Sequence, residues 1–151
     1  MNPMIDVVRE YYDSQEWKYD FDGEKNIFSM RMSLKDVESC RVITHCKDKG
    51  ELLTLAFFPI NAPENKRLAV AEYLTRANYG LNIGNFEMDM DDGEIRYKVS
   101  SVWADLLPPV KVVERLVDTS FVMLDRYGAG ILSVIYGGVS PADAVKAAED
   151  N

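Results

Sequence analysis

At 151 residues the chain is long enough to bury a substantial core, and the expectation is one domain spanning 1–151. Its hydrophobic content of 47% and charged content of 28% are those of a soluble globular protein. A formal net charge of −8 argues against nucleic acid or an anionic membrane as partner.

Asp6, Arg9 and Glu10 interrupt any N-terminal apolar run, so no signal peptide is expected. The most apolar window, Ser120–Val139, holds Asp125 and Arg126 near its middle. A charge at the bilayer centre costs about 2.5–3.5 kcal/mol on insertion scales, so this window is not read as a membrane span. Two cysteines without secretory context fit a reducing, cytoplasmic location and no disulfide framework.

In chain order, Asn2-Pro3 reads as a helix cap followed by a first-turn proline. Met4, Ile5, Val8, Tyr11 and Tyr12 then recur at helical spacing to about Ser14. Trp17, Tyr19 and Phe21 alternate with polar residues as far as Gly23, and Phe28, Met30, Met32 and Leu34 resume the alternation: a first hairpin. Cys40, Val42, Thr44 and Cys46 lead to a turn at Asp48-Lys49-Gly50. Aligned across a four-residue loop, Thr44, Val42 and Cys40 face Leu53, Leu55 and Phe57. Leu52 and Phe58 make that last strand apolar on both faces, as in a covered or central strand.

Pro63-Glu64 begins a second helix with Leu68, Ala71, Leu74 and Ala77 as its buried stripe, flanked by Val70 and Tyr73. Gly80-Leu81 is its C-terminal cap. Gly84, Phe86, Met88 and Met90 alternate with polar residues up to Asp92-Gly93, and Ile95, Tyr97 and Val99 alternate after it. This is the strongest short-range hairpin signal in the chain. A two-residue turn at Asp92-Gly93 pairs Met90 with Ile95, Met88 with Tyr97 and Phe86 with Val99. It also sets Asp89 against Arg96 and Glu87 against Lys98. Pro108-Pro109 precedes a long helix carrying Val113, Leu116, Val117, Leu124, Tyr127, Ile131 and Val134, which Gly137-Gly138 stops. Ser140-Pro141 caps a short terminal helix. The predicted order is α-ββββ-α-ββ-α-α, an α+β fold whose antiparallel sheet of about six strands is covered by helices largely on one face.

The segment Ala77-Asn78-Tyr79-Gly80, then Gly84-x-Phe86-x-Met88-Asp89, then Asp92-Gly93-Glu94-Ile95-Arg96-Tyr97 resembles the YbjN family, bacterial proteins described as sensory transduction regulators. The upstream meander, the long helix after the hairpin and the terminal Ser-Pro-x-x-Ala cap agree with it in kind. The resemblance implies a fold similar to class I type III secretion chaperones, usually dimeric proteins that bind other proteins rather than catalyse. Such chaperones expose apolar patches, whereas the outer face of the Phe86–Val99 hairpin is strongly charged.

No residue set points to catalysis. Cys40 and Cys46 share one strand face and His45 the other, so they cannot jointly grip a metal or act as a Cys-His pair. Aligning Gly93 with the glycine of a calcium loop leaves only Asp92 in a ligand position. Gly128-Ala129-Gly130 lies within a helical pattern rather than after a strand, which suits close packing or a hinge, not a dinucleotide. Trp17, Tyr19, Phe21 and Phe28, at strand spacing, read as core rather than a ligand box. The carboxylates have no context that would raise a pKa.

What remains is surface. Ile27, Ile43, Leu52 and Phe58 are placed on the outer face of the meander, where an uncovered apolar patch marks an interaction surface. Either this face or the glycine-containing long helix is expected to form a homodimer contact, unless a helix folds over the patch. The leading expectation is a non-enzymatic, cytoplasmic protein-binding regulator or chaperone-like adaptor, without cofactor, acting as a homodimer. The alternative is a small-molecule sensor with a pocket between sheet and helices near Trp17, Tyr73 and Tyr97.

Overall fold

Ten elements of regular structure follow one another in the predicted order in a computed structural model that describes residues 2–150. Helix α1 (Met4–Ser14) starts where expected. Asn2 Oδ1 accepts from the Met4 N–H at 3.1 Å, and the Asn2 amide donates to the carbonyls of Cys46 and Lys47, tying the helix start to the sheet. Strands β1 (Asp20–Asp22), β2 (Ile27–Met32), β3 (Cys40–Lys47) and β4 (Glu51–Phe57) form the antiparallel meander. A single 3₁₀ turn over Glu64–Lys66 leads into α2 (Arg67–Asn78). Strands β5 (Asn85–Met88) and β6 (Ile95–Val102) complete a six-stranded sheet of order β1-β2-β3-β4-β6-β5, with β6 antiparallel to β4. The long helix α3 (Val110–Tyr136) and the short α4 (Pro141–Glu149) close the fold, the latter capped by Ser140, whose Oγ accepts from the Asp143 N–H. The fold is α+β.

The helices pack on one face of the sheet. Phe28, Val42, Cys46, Leu52, Ala56 and Tyr97 point into them and join Val8, Tyr73, Val117 and Leu124 in one core. The two helical glycines are packing points: a Cβ on Gly130 would stand 2.1 Å from the Tyr73 hydroxyl oxygen, and one on Gly128 would stand 2.5 Å from Val37. The α2 stripe is rotated from expectation. Val70, Tyr73, Leu74 and Ala77 are buried, while Leu68 is 79% exposed.

Two registers differ from the sequence expectation. The β3–β4 loop has three residues, not four: Lys47 faces Glu51, so Cys46 faces Leu52, Thr44 faces Thr54 and Val42 faces Ala56. Both Lys49 (φ 64) and Gly50 (φ 74) are left-handed, and a Cβ on Gly50 would stand 2.0 Å from the Ala104 carbonyl oxygen. A one-residue slip exchanges the faces of a strand. Leu52 and Phe58 therefore lie in the core, 1% and 5% exposed, instead of on the outer face.

The β5–β6 hairpin is displaced by two residues, which preserves its faces. Met88 faces Ile95, Glu87 faces Arg96 and Phe86 faces Tyr97. The closing loop is longer than a two-residue turn: the Gly93 N–H donates to the Asp89 carbonyl and the Asp89 N–H to the Glu94 carbonyl. Gly93 (φ +80) is pressed against the segment before α2, where a Cβ would stand 2.1 Å from the Ala62 carbonyl oxygen. The Ala62 N–H in turn donates to the Gly93 carbonyl at 2.8 Å.

Candidate functional site: the open face of the sheet

With the helices on one side, the opposite face of the sheet carries the alternate residues of each strand. Reading across the strands, one rung is Ser29, Ile43, Leu55 and Lys98, and the next is Ile27, His45, Leu53 and Ser100. A third is Arg31, Arg41, Phe57, Arg96 and Glu87. Ile27, Ile43, Leu53, Leu55 and Phe57 thus form an apolar cluster that has no part in the main core. Leu55, at its centre, is 5% exposed; its neighbours are half-buried. Since strands stand roughly 4.8 Å apart, these side chains shelter one another.

Of the residues singled out in the sequence, Ile27 and Ile43 lie on this face, on adjacent strands and one rung apart. Leu52 and Phe58 do not; their places are taken by Leu53, Leu55 and Phe57. The signal was present, because both faces of β4 are apolar, but the loop length that selects the face was not visible.

The rung around Phe57 is mostly cationic, whereas Asp20 and Asp22 of β1 border the rungs of Ser29 and Ile27. Arg41 lies over the Phe57 ring, its guanidinium carbon 4.4 Å from the centroid. Glu87 bridges Arg96 and Lys98, the latter at 2.9 Å. Burial alone would raise the Glu87 carboxyl, but the two cations outweigh it and hold its pKa below the ordinary value. His45 is pushed down, chiefly by desolvation and then by Lys47. A cleft of about 370 Å³ opens at the Arg31–Arg41 end, lined also by Lys18, Tyr19 and Asp20.

Other candidates fall elsewhere. Cys40 and Cys46 are buried on the helix side, and desolvation pushes their thiols up to about 11 and about 12, while His45 faces the other way. Trp17, Tyr73 and Tyr97 do not converge. Trp17 packs edge-on to Tyr11, Tyr12 and Phe121, Tyr73 to Tyr127, and Tyr97 to Phe86. A cleft of about 870 Å³ lies at the hairpin ends beside Asn2 and Leu107, and one of about 690 Å³ between Gly80–Ile83 and α3. Neither is lined by Trp17 or Tyr73. No helix among the described residues is long and apolar enough to cross a membrane.

Asn78 has a distinct task. Its side-chain carbonyl accepts from the Phe86 N–H at 2.7 Å and its amide donates to the Phe86 carbonyl at 3.0 Å. The residue that ends α2 thereby occupies backbone groups on the outer edge of β5, where an added strand would otherwise pair.

The family model described as "Putative bacterial sensory transduction regulator", YbjN, matches residues 4–133. Among solved structures, a crystal structure of YbjN from E. coli, described as a putative transcription regulator, is 13% identical. The alignment covers 83% of this chain and 88% of that one, with a TM-score of 0.58, a likeness of fold. A chaperone in the HopA1–SchA chaperone–effector complex structure is 16% identical over 80% of this chain and 88% of that one, with a TM-score of 0.47. The ExsC–ExsE complex gives 14% identity over 81% and 90%, with a TM-score of 0.48. No curated protein matches the sequence.

Proposed function

The chain belongs to the YbjN family, and from that membership we propose that it is a non-enzymatic, cytoplasmic regulator or adaptor that binds another protein on the open face of its sheet. The observation that carries this reading is the second apolar cluster: Ile27, Ile43, Leu53, Leu55 and Phe57 gather on the face the helices leave open, separate from the core. A half-buried apolar cluster on an uncovered sheet face, bordered by charge, suits a protein-docking surface.

The reading includes a homodimer. Leu132 and Tyr136, one turn apart on α3, are 37% and 73% exposed, whereas Gly128 and Gly130 pack inside the fold, so the contact is assigned to the exposed pair. Sedimentation equilibrium at high micromolar concentration is expected to give a dimer that Tyr136→Asp dissociates; a strictly monomeric mass for the unaltered chain overturns the dimer.

Partner binding is tested by capture from the native lysate with the unaltered chain and with an Ile43→Glu, Leu53→Glu variant. Both positions are half-buried on the open face, outside the core. The expected result is a specific protein partner retained by the unaltered chain and lost by the variant, with the near-UV spectrum of the buried aromatics preserved. Equal capture by both overturns the assignment of this face.

A further inference from the structure

We infer that the occupant of the open face is an acidic, extended polypeptide segment, its carboxylates on Arg31 and Arg41 and its apolar side chains on the half-buried Ile43 and Leu53. This rests on the reading of the open face as a protein-docking surface and adds the chemistry of the partner. Arg31 and Arg41 stand directly opposite each other on β2 and β3. Like charges in that position oppose sheet formation. Neither arginine has a carboxylate within ion-pair distance among the described residues, although the chain as a whole carries a net charge of −8. Arg96, further along the rung, is engaged by Glu87, and Arg41 is held over Phe57. Lys18 adds a third cation to the cleft beside Arg31, and Asp20 is the one acid lining it. A partner carboxylate placed there relieves the arginine pair, and the next two rungs offer the half-buried Ile43 and Leu53 to apolar side chains of the same segment.

The sheet edges do not offer an alternative mode. Asn78 occupies the outer backbone groups of Phe86 on β5, and β1 is three residues long with two aspartates. The segment therefore lies across the face instead of joining as a seventh strand. A second copy presenting the same face would bring its own Arg31–Arg41 pair, and from that rung only Glu87, which is already engaged.

The test uses short fluorescein-labelled peptides of equal leucine content and of acidic, neutral or basic net charge, titrated with the full chain. The acidic peptide is expected to bind at least about tenfold more tightly than the basic one, with affinity falling as NaCl is raised. Arg31→Glu, which sets a carboxylate opposite Arg41, is expected to weaken acidic-peptide binding at least about tenfold while leaving the melting temperature unchanged or higher. Glu87→Gln, which releases Arg96 and Lys98, is expected to tighten it. Binding independent of peptide charge, or unaffected by Arg31→Glu, overturns the acidic segment and leaves the apolar docking face standing. So does failure of every peptide to bind while Ile43→Glu, Leu53→Glu still abolishes capture of the native partner. Native capture that survives that double variant removes the docking face itself.

Discussion

Tyr11, Tyr12, Tyr73, Tyr97 and Tyr127 sit in the core, and each hydroxyl ties two parts of the fold together. Tyr11 donates to Asp118 on α3, Tyr73 to the Tyr127 carbonyl at 2.7 Å, Tyr97 to the Ile83 carbonyl, and Tyr127 to Glu149 on α4 at 2.8 Å. Tyr12 and Thr44 share a hydrogen bond of 2.6 Å between α1 and β3. Buried hydroxyls need such partners, and a net contribution of about 0.5–1.5 kcal/mol each is usual. Tyr12→Phe strands Thr44 with only the longer 3.4 Å contact to Thr54. It is expected to cost about 1–2 kcal/mol in urea unfolding. The same burial sets the alkaline limit. Desolvation, aided at Tyr127 by Glu149, pushes Tyr97 and Tyr127 up to about 12. The folded state therefore holds these protons above the ordinary value of 10.0, where the unfolded chain releases them. Their contribution is complete below pH 10 and lost as pH rises toward 12. Unfolding followed between these limits should show that decline, shallower in Tyr127→Phe. Glu87 sets an opposite trend at acid pH: its folded pKa is depressed, so its stabilising effect is present above the ordinary 4.5 and lost as pH falls through the folded value. Glu87→Gln should flatten that limb.

At the scale of the element, glycines placed in turns decide the two hairpin registers. Gly50 and Gly93 are both left-handed and both pressed against a backbone carbonyl. Replacing either with alanine is expected to cost about 1–3 kcal/mol, since neither the conformation nor the space admits a Cβ. Gly80, also left-handed but with nothing near it, should cost less under the same substitution. These loops also explain where sequence reading stopped. The order of elements, the caps at Asn2 and Ser140 and the long helix ending before Gly137 were legible because each follows from local periodicity and punctuation. The β5–β6 faces were legible too, yet its register was not: a strict two-residue alternation looks identical after a shift of two, and only the longer loop built on Ala62 breaks the tie. On β4 even the faces were hidden, because large apolar residues stand on both, Leu52 and Phe58 on one and Leu53, Leu55 and Phe57 on the other. Two left-handed residues in succession at Lys49-Gly50 chose between them. In α2, the two-sided apolar pattern left the stripe free to rotate, and Tyr73 rather than Leu68 found the space opposite Gly130.

Across the whole molecule, the helices cover one side of the sheet and leave the other open. The helices, the tyrosine ties and the glycine contacts of α3 all belong to the covered side. The open side holds its own apolar cluster, a cation-rich rung and a histidine whose pKa desolvation pushes down. That division was half legible: Ile27 and Ile43 marked the open face, while Leu52 and Phe58 belong to the core. The candidate site thus moved by one residue along β4, which brings Phe57 onto the face that Arg31 and Arg41 share with Ile27 and Ile43. The central claim, that this face is where a polypeptide partner docks, is most directly tested by a photo-crosslinking residue placed at Ile43 and, separately, at the exposed Leu68 of α2. The account predicts a covalent polypeptide adduct from position 43 and none from position 68. No adduct at position 43, or equal adducts at both, would contradict it.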